Sequence, residues 1–193
     1  MRCIVVQGPT NPERSPRDLG WENNVIYSTW KGSEEFYKKT ETVVFSDTPS
    51  FPGISNWMYQ KKSTLAGLYL AREMGFDRAL KWRSDFKVKN PELFLSLFED
   101  KINFYAWHDH CGGYLIDYFI EGGVSDLINL FENSKDDKFP EKNLTDSFFE
   151  LRLEAAFILP KLKEADAFWI KNGFWLSENN FNDTKHHYLT KIP

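Results

Sequence analysis

The sequence predicts an α/β fold, a mostly parallel central sheet flanked by helices. Three observations carry this. Short apolar runs recur at residues 3–6 (C-I-V-V), 25–30 (V-I-Y-S-T-W), 42–45 (T-V-V-F) and 78–86 (R-A-L-K-W-R-S-D-F). Strands buried between two helical layers read as such runs. Each run closes on glycine, proline or a carboxylate: Gln7-Gly8-Pro9, Lys31-Gly32, Ser46-Asp47-Thr48-Pro49 and Arg83-Ser84-Asp85. Helical spacing fills residues 56–74, where Trp57, Leu65, Leu68 and Met74 share a face and Gly75 is a natural stop. In such a fold the C-terminal ends of the strands face the ligand crevice.

At 193 residues the chain suffices for one domain with a sizeable core. Its formal net charge is −4 with both signs spread along it, which argues against nucleic acid, whose phosphates require a basic surface. Aromatics reach 17%, and most of these rings are expected in the core. Two cysteines, Cys3 and Cys111, make no disulfide framework and suit a reducing compartment. The opening M-R-C-I-V-V-Q-G is too short an apolar run for a signal peptide or a membrane span. A cytoplasmic location follows, any membrane role coming through a partner or a lipid-linked substrate.

Taken in order, Gly8 lets the backbone approach a ligand and Pro9 stops the first strand, although any strand needs an ending. Residues 10–24 are polar and rich in proline and charge, a loop or one short helix. Arg14 and Arg17 there either reach a phosphate or are solvated. Residues 33–39 read as one short helix. Asp47 closes the third strand and holds a base or ribose hydroxyl, or makes an Asx turn. The first turns of the long helix carry Asn56, Gln60, Lys61, Lys62, Ser63 and Thr64, groups that suit phosphate or ribose or else form a solvated face. A helix at 91–98 and a strand at 102–107 follow. His108-Asp109-His110-Cys111 invites a metal reading, but adjacent side chains on a strand face opposite sides and cannot converge. The run 114–120 has Asp117 at its centre, where a carboxylate must be paired or functional, and Glu121-Gly122-Gly123 ends it. An amphipathic helix at 124–132 leads to a polar linker, 133–143. A helix is then expected over 145–159, with Thr145 or Asp146 as N-cap and Pro160 stopping it. Asn172-Gly173 marks a hairpin turn.

Six segments now stand in order: V-V-Q-G-P at 5–9, Y-S-T-W-K-G at 27–32, S-D-T-P at 46–49, Q-K-K-S-T-L-A-G-L at 60–68, L-K-W-R-S-D-F at 80–86 and D-Y-F-I-E-G-G-V-S-D-L-I-N-L-F at 117–131. Together they resemble the WavE-type polysaccharide-biosynthesis proteins, glycosyltransferases of the GT-A nucleotide-sugar type. The matches run from residue 5 to residue 131. The resemblance implies a Rossmann-type sandwich with the donor at the strand C-termini. Residues 1–90 would be the nucleotide-sugar-binding half and 91–193 the acceptor-side half of a single domain. It also implies that Arg83-Ser84-Asp85 stands where such enzymes carry Asp-X-Asp. Arg83 replaces the first aspartate, so Asp85 alone binds metal there, and Arg83 can itself neutralise phosphate charge.

The expected activity is transfer of a sugar from a nucleotide-sugar donor to a glycan or glycolipid acceptor in surface polysaccharide synthesis. It takes place in the cytoplasm, with the inner membrane face as the place to meet a glycolipid. Gln7, Gly8, Pro9, Asp47, Asn56, Gln60 and Arg83 are expected at the donor. Asp85, with His187 or His186 from the tail, is expected to hold a divalent cation, Mn²⁺ or Mg²⁺. An inverting enzyme needs a base, for which Asp117, Glu150 and Asp146 are the candidates. Two other classes stay open: a nucleotidyl- or phosphosugar transferase, and a non-catalytic sugar-binding or assembly subunit.

Overall fold

The computed structural model describes residues 1–9, 21, 23–84, 91–108 and 114–158, with backbone alone at 93, 106–108 and 116–118. Its elements are β1 (Arg2–Gln7), β2 (Val25–Trp30), β3 (Thr42–Ser46), α1 (Trp57–Glu73), β4 (Arg78–Arg83), α2 (Pro91–Ser96), β5 (Ile102–His108), β6 (Tyr114–Gly123), α3 (Val124–Asn133), α4 (Pro140–Glu150) and β7 (Ala155–Phe157). Among the described residues the strands form one seven-stranded sheet, in the order β3-β2-β1-β4-β6-β5-β7. β1, β2, β3 and β4 run parallel, as do β5 and β7, and β6 alone runs against its two neighbours. The α/β class and the mostly parallel sheet expected from the sequence are both present.

Period-two alternation sorts the apolar strand residues onto two faces. Cys3, Val5, Ile26, Ala79 and Ile120 face one side, where α1 (Leu68, Ala71), α3 (Leu127, Phe131) and α4 (Leu144, Phe148) cover them. Ile4, Val6, Tyr27, Leu80, Trp82 and Phe119 face the other, under Trp21 and Phe94 of α2. Trp82 anchors this second core, stacked on Phe119 at 6.0 Å and edge-on to Trp21 at 5.1 Å and Phe94 at 5.5 Å.

Helix α1 lies unusually close to the sheet because Gly67 faces it. A Cβ there would stand 2.3 Å from Val5 Cγ1 and 3.1 Å from Ser28 Cβ. This approach seats the first turns of α1 beside the C-terminal ends of β1 and β2.

Several local expectations are corrected. The helix expected at 33–39 is a single 3₁₀ turn, Glu34–Phe36. The helix expected at 145–159 instead begins at Pro140, whose fixed φ and missing N–H suit a first turn, and ends at Glu150. Thr145 does not cap it: its hydroxyl donates to Glu141 O at 2.6 Å and accepts from Leu115 N–H at 2.8 Å. Residues 155–157 are the strand β7, because their backbone pairs with β5. The 10–24 segment is not wholly polar loop, since Trp21 is buried in the second core. Glu121-Gly122-Gly123 closes β6 as expected, but Glu121 is more than punctuation: its carboxylate, fully buried, takes hydrogen bonds from Arg2 Nε (2.9 Å), Arg78 Nε (2.9 Å), Arg78 Nη2 (2.8 Å) and Asn103 Nδ2 (2.7 Å). The Asn172-Gly173 turn lies outside the described residues.

Candidate functional site

At the C-terminal ends of the parallel strands lies a cleft of about 480 Å³. Its floor is Gln7-Gly8-Pro9 after β1. Trp30 and Thr48 come from the ends of β2 and β3, Asn56, Tyr59, Gln60 and Ser63 from the start of α1, and Arg83 and Ser84 from the end of β4. Parallel strands must open such a crevice here, because neighbouring connections leave the sheet in different directions.

The floor requires its glycine. Gly8 has φ +129°, and a Cβ on it would lie 2.6 Å from Ser84 Oγ. The two strand ends are stitched together there: Ser84 N–H donates to Gln7 O at 3.0 Å and Ser84 Oγ to Pro9 O at 3.3 Å. The approach to α1 is also unusual. Ser55 and Asn56 both hold left-handed backbone, φ 51° and 63°, a conformation that clusters at functional sites in non-glycine residues. Asn56 sits at the helix N-cap yet makes no side-chain capping bond, so its carboxamide is not used by the helix.

Three kinds of group line the cleft. Trp30 and Tyr59 form an aromatic pair with ring centroids 5.6 Å apart. Gln7, Asn56 and Gln60 supply carboxamides. Gln60 Oε1 is buried and has no hydrogen-bond partner, a state that costs about 1–3 kcal/mol until a donor arrives. Arg83 supplies the cation at the β4 end. None of the described lining residues is a carboxylate or a histidine. This donor set suits a planar polar group and an anion, and its described side chains bring no carboxylate for a divalent cation. Among the described residues no three of His, Cys, Asp and Glu converge.

Of the residues expected at the donor, the structure brings Gln7, Gly8, Pro9, Asn56, Gln60 and Arg83 to this cleft. Asp47 does not line it; its neighbour Thr48 does. Asp47 is exposed and ion-paired to Lys31 at 2.9 Å. The Lys31 hydrogen bond and charge, with a smaller contribution from Lys62, hold its carboxyl below the usual range. Lys61 serves the fold, reaching Ser134 O at 2.5 Å and Asp136 Oδ1 at 3.2 Å. Asp85, His186 and His187 lie outside the described residues.

Of the three carboxylates considered as bases, Asp117 is on β6, whereas Asp146 and Glu150 lie one turn apart on α4. Asp117 lies in β6 where the pairing with β5 slips between Phe104 and Ala106. A bulge of this kind re-aims side chains and often sits beside an active site. Trp82 pairs with Phe119, so the Asp117 backbone lies two residues beyond it, toward the strand ends that open the cleft. Asp146 and Glu150 do not line the cleft. Asp146 is bonded to Lys138 at 2.6 Å and lies 3.4 Å from Lys142. Burial raises its pKa, but the two lysines outweigh this and hold it low. Glu150 is exposed and faces Lys135 at 3.5 Å.

Trp30, Thr48 and Tyr59 had not been anticipated. The aromatic pair was legible only as core, since nothing in sequence brings a strand-end tryptophan to the first turn of a helix 29 residues later.

Two solved structures share this α/β fold. A candidate nucleotide-diphospho-sugar transferase from Desulfovibrio desulfuricans superposes with a TM-score of 0.51 at 11% identity, over 81% of this chain and 78% of that one. The 4-diphosphocytidyl-2C-methyl-D-erythritol synthase of Anaerococcus prevotii superposes with a TM-score of 0.52 at 13% identity, over 81% and 86%. At such identities the likeness is one of fold. No protein-family model and no curated protein matches the chain. Among the described residues no helix is long and apolar enough to cross a membrane.

Proposed function

We propose that the chain is a nucleotide-sugar-dependent glycosyltransferase of the GT-A type, with its donor in the cleft at the strand ends. One observation carries this reading. Five of the six segments that resemble the WavE-type proteins, dispersed from residue 5 to residue 86, each contribute to that cleft: Gln7, Gly8 and Pro9, then Trp30, Thr48, Gln60 with Ser63, and Arg83 with Ser84. A nucleoside diphosphate has the matching parts, a flat polar base for the aromatic pair and carboxamides, and an anion for Arg83. Every described residue of the cleft falls within 1–90, which supports assigning that half to the donor and residues 91–193 to the glycan or glycolipid acceptor.

In glycosyl transfer the bond from the anomeric carbon to the diphosphate oxygen breaks as the acceptor hydroxyl attacks that carbon. Negative charge grows on the leaving diphosphate, where the Arg83 guanidinium stabilises it. In an inverting reaction a carboxylate takes the acceptor's proton. Asp117 is the first choice, on the β6 bulge beyond the end of β4. Glu150 is the second choice, and Asp146, one turn before it on the same helix, the third, because Lys138 and Lys142 favour its charged form without a proton. Asp85, with His186 or His187, is the set that would hold Mn²⁺ or Mg²⁺. Such an ion would neutralise phosphate charge alongside Arg83.

A nucleotidyltransferase is the second reading, favoured by the erythritol synthase neighbour and by the arginine standing in place of the first aspartate. Product analysis with a panel of sugar nucleotides separates the two. Release of nucleoside diphosphate supports glycosyl transfer. Pyrophosphate or nucleoside monophosphate as the product would overturn it in favour of the second reading. Asp85→Ala that leaves the cellular function intact would instead indicate a non-catalytic subunit.

A further inference from the structure

The donor cleft contains a buried relay that links three elements. Ser28 Oγ, on β2, donates to the backbone carbonyl of Ser63 at 2.5 Å. Ser63 Oγ, on α1, lies within hydrogen-bond distance of the Gln7 carboxamide, 3.0 Å from Oε1. Ser28, Ser63 and Gln7 are 1%, 0% and 5% exposed. The Ser63 hydroxyl also lies 2.8 Å from Tyr59 O and 3.2 Å from Gln60 O. Its position is therefore fixed by its own helix, and the helix is fixed by Ser28. Gln7 is the only part of this relay with rotatable length to spare.

A carboxamide has two chemically different ends, one accepting and one donating. With one end of Gln7 held by Ser63, the other end alone is left for the cleft, and it has no partner among the described residues. Gln60 stands one turn before Thr64 on the same helix and brings a second, unpartnered carboxamide oxygen to the same wall. A carboxamide of fixed polarity, as Gln7 is here, reads the donor or acceptor pattern of a planar heterocycle edge. Mobile ones read nothing, because each can turn to suit any base.

We propose that Ser63 is a positioning residue for nucleobase selection: by holding one end of the Gln7 carboxamide it fixes which polarity faces the ligand, so that Gln7 selects one base over the others. The inference rests on the cleft being the nucleotide site. It adds that this end of the cleft reads the base and not the phosphates, which fall to Arg83. Ser63→Ala is a clean perturbation. The Ser28 bond goes to the backbone of Ser63 and survives, alanine favours the helix, and no volume is added.

The test is equilibrium binding of UDP, GDP, ADP and CDP, with inorganic pyrophosphate as a probe lacking a base, to the whole protein and to Ser63→Ala and Gln7→Leu. Wild type should prefer one base by about tenfold or more, as well-placed carboxamide contacts do. Ser63→Ala and Gln7→Leu should narrow that preference to about threefold or less while pyrophosphate affinity is unchanged, since base contacts specify and phosphate contacts do not. The proposal falls if both variants weaken all four nucleotides and pyrophosphate equally, or if the wild-type preference survives them. If wild type binds pyrophosphate but does not discriminate among bases, the inference fails and the phosphate end of the site stands. If wild type binds none of the five, the donor assignment itself fails with it.

Discussion

Replacing Gly67 by alanine tests the packing on which the cleft depends. The added Cβ would sit 2.3 Å from Val5 Cγ1, whereas carbon atoms rest about 3.5–4.0 Å apart. The gap to be made up is therefore more than about 1 Å. Val5 cannot yield by swinging away, because it is fully buried and a β-branched side chain is stiff at χ1. Relief has to come from α1 moving off the sheet. Overpacking of this kind costs about 1–3 kcal/mol, and a clash this short belongs at the upper end. Alanine returns about 1 kcal/mol through its helix propensity. The net loss is about 2 kcal/mol, or a fall in Tm of about 4–8 °C for a domain of this size. The same movement pulls Ser63 away from Gln7, whose contact is 3.0 Å, and weakens nucleotide binding beyond what the stability loss explains. Thermal unfolding followed by circular dichroism, with nucleotide titration well below the new Tm, measures both effects. A variant as stable as wild type, with the same nucleotide affinity, would refute the close seating of α1 on β1 and β2.

Three further outcomes are expected. Glu121→Gln removes the charge that Arg2 and Arg78 converge on. Because it unpairs a fully buried carboxylate site, it should cost about 3 kcal/mol in urea unfolding, yet leave nucleotide affinity alone, since these residues do not line the cleft. Asp146→Asn should cost only about 0.5–1 kcal/mol near neutral pH, as a partly exposed ion pair does. The folded pKa of Asp146 is depressed, so its contribution is present above the ordinary value of 3.8 and disappears as pH falls through the depressed one. Wild type and variant should therefore converge in acid, and a stability gap that widens as pH falls would contradict the assignment. Burial pushes the Cys3 thiol up to about 12. In a Cys111→Ser background a thiol reagent at neutral pH should react only on unfolding, and rapid labelling of the native protein would show that β1 is not buried as described.

The donor-side half was largely legible because parallel strands sandwiched between helices leave plain marks. Residues 3–6 are an unbroken apolar run, 25–30 and 42–45 are apolar but for Ser28, Thr29 and Thr42, and Gly8, Gly32 and Asp47 punctuate them. The end of α1 was marked by Gly75, which takes φ +79°. Less was visible where direction or long-range pairing decides. Nothing in Y-L-I-D-Y-F-I-E-G-G states that β6 runs antiparallel, nor that it slips opposite Phe104. Pro140 reads as a breaker unless the next turn is known to be helical. Asp117 drew notice as the carboxylate in an apolar run, yet the one with a described buried network is Glu121, whose two arginines arrive from strands 119 and 43 residues away. Trp21 looked like part of a polar loop because its partners, Trp82 and Phe94, are supplied only by the fold. For the cleft, the residues at strand ends could be named singly, but the contributions of Tyr59 and Trp30 depend on how close α1 lies to the sheet.

The most direct measurement is a crystal structure of the protein with a nucleoside diphosphate or nucleotide sugar bound. The account predicts the ligand at the C-terminal ends of β1 and β4, its base beside Trp30, Tyr59 and Gln60 and its phosphates toward Arg83 and Ser84. A nucleotide found instead at the opposite edge of the sheet, in the hollow lined by Trp21, Tyr27 and Met74, would contradict it.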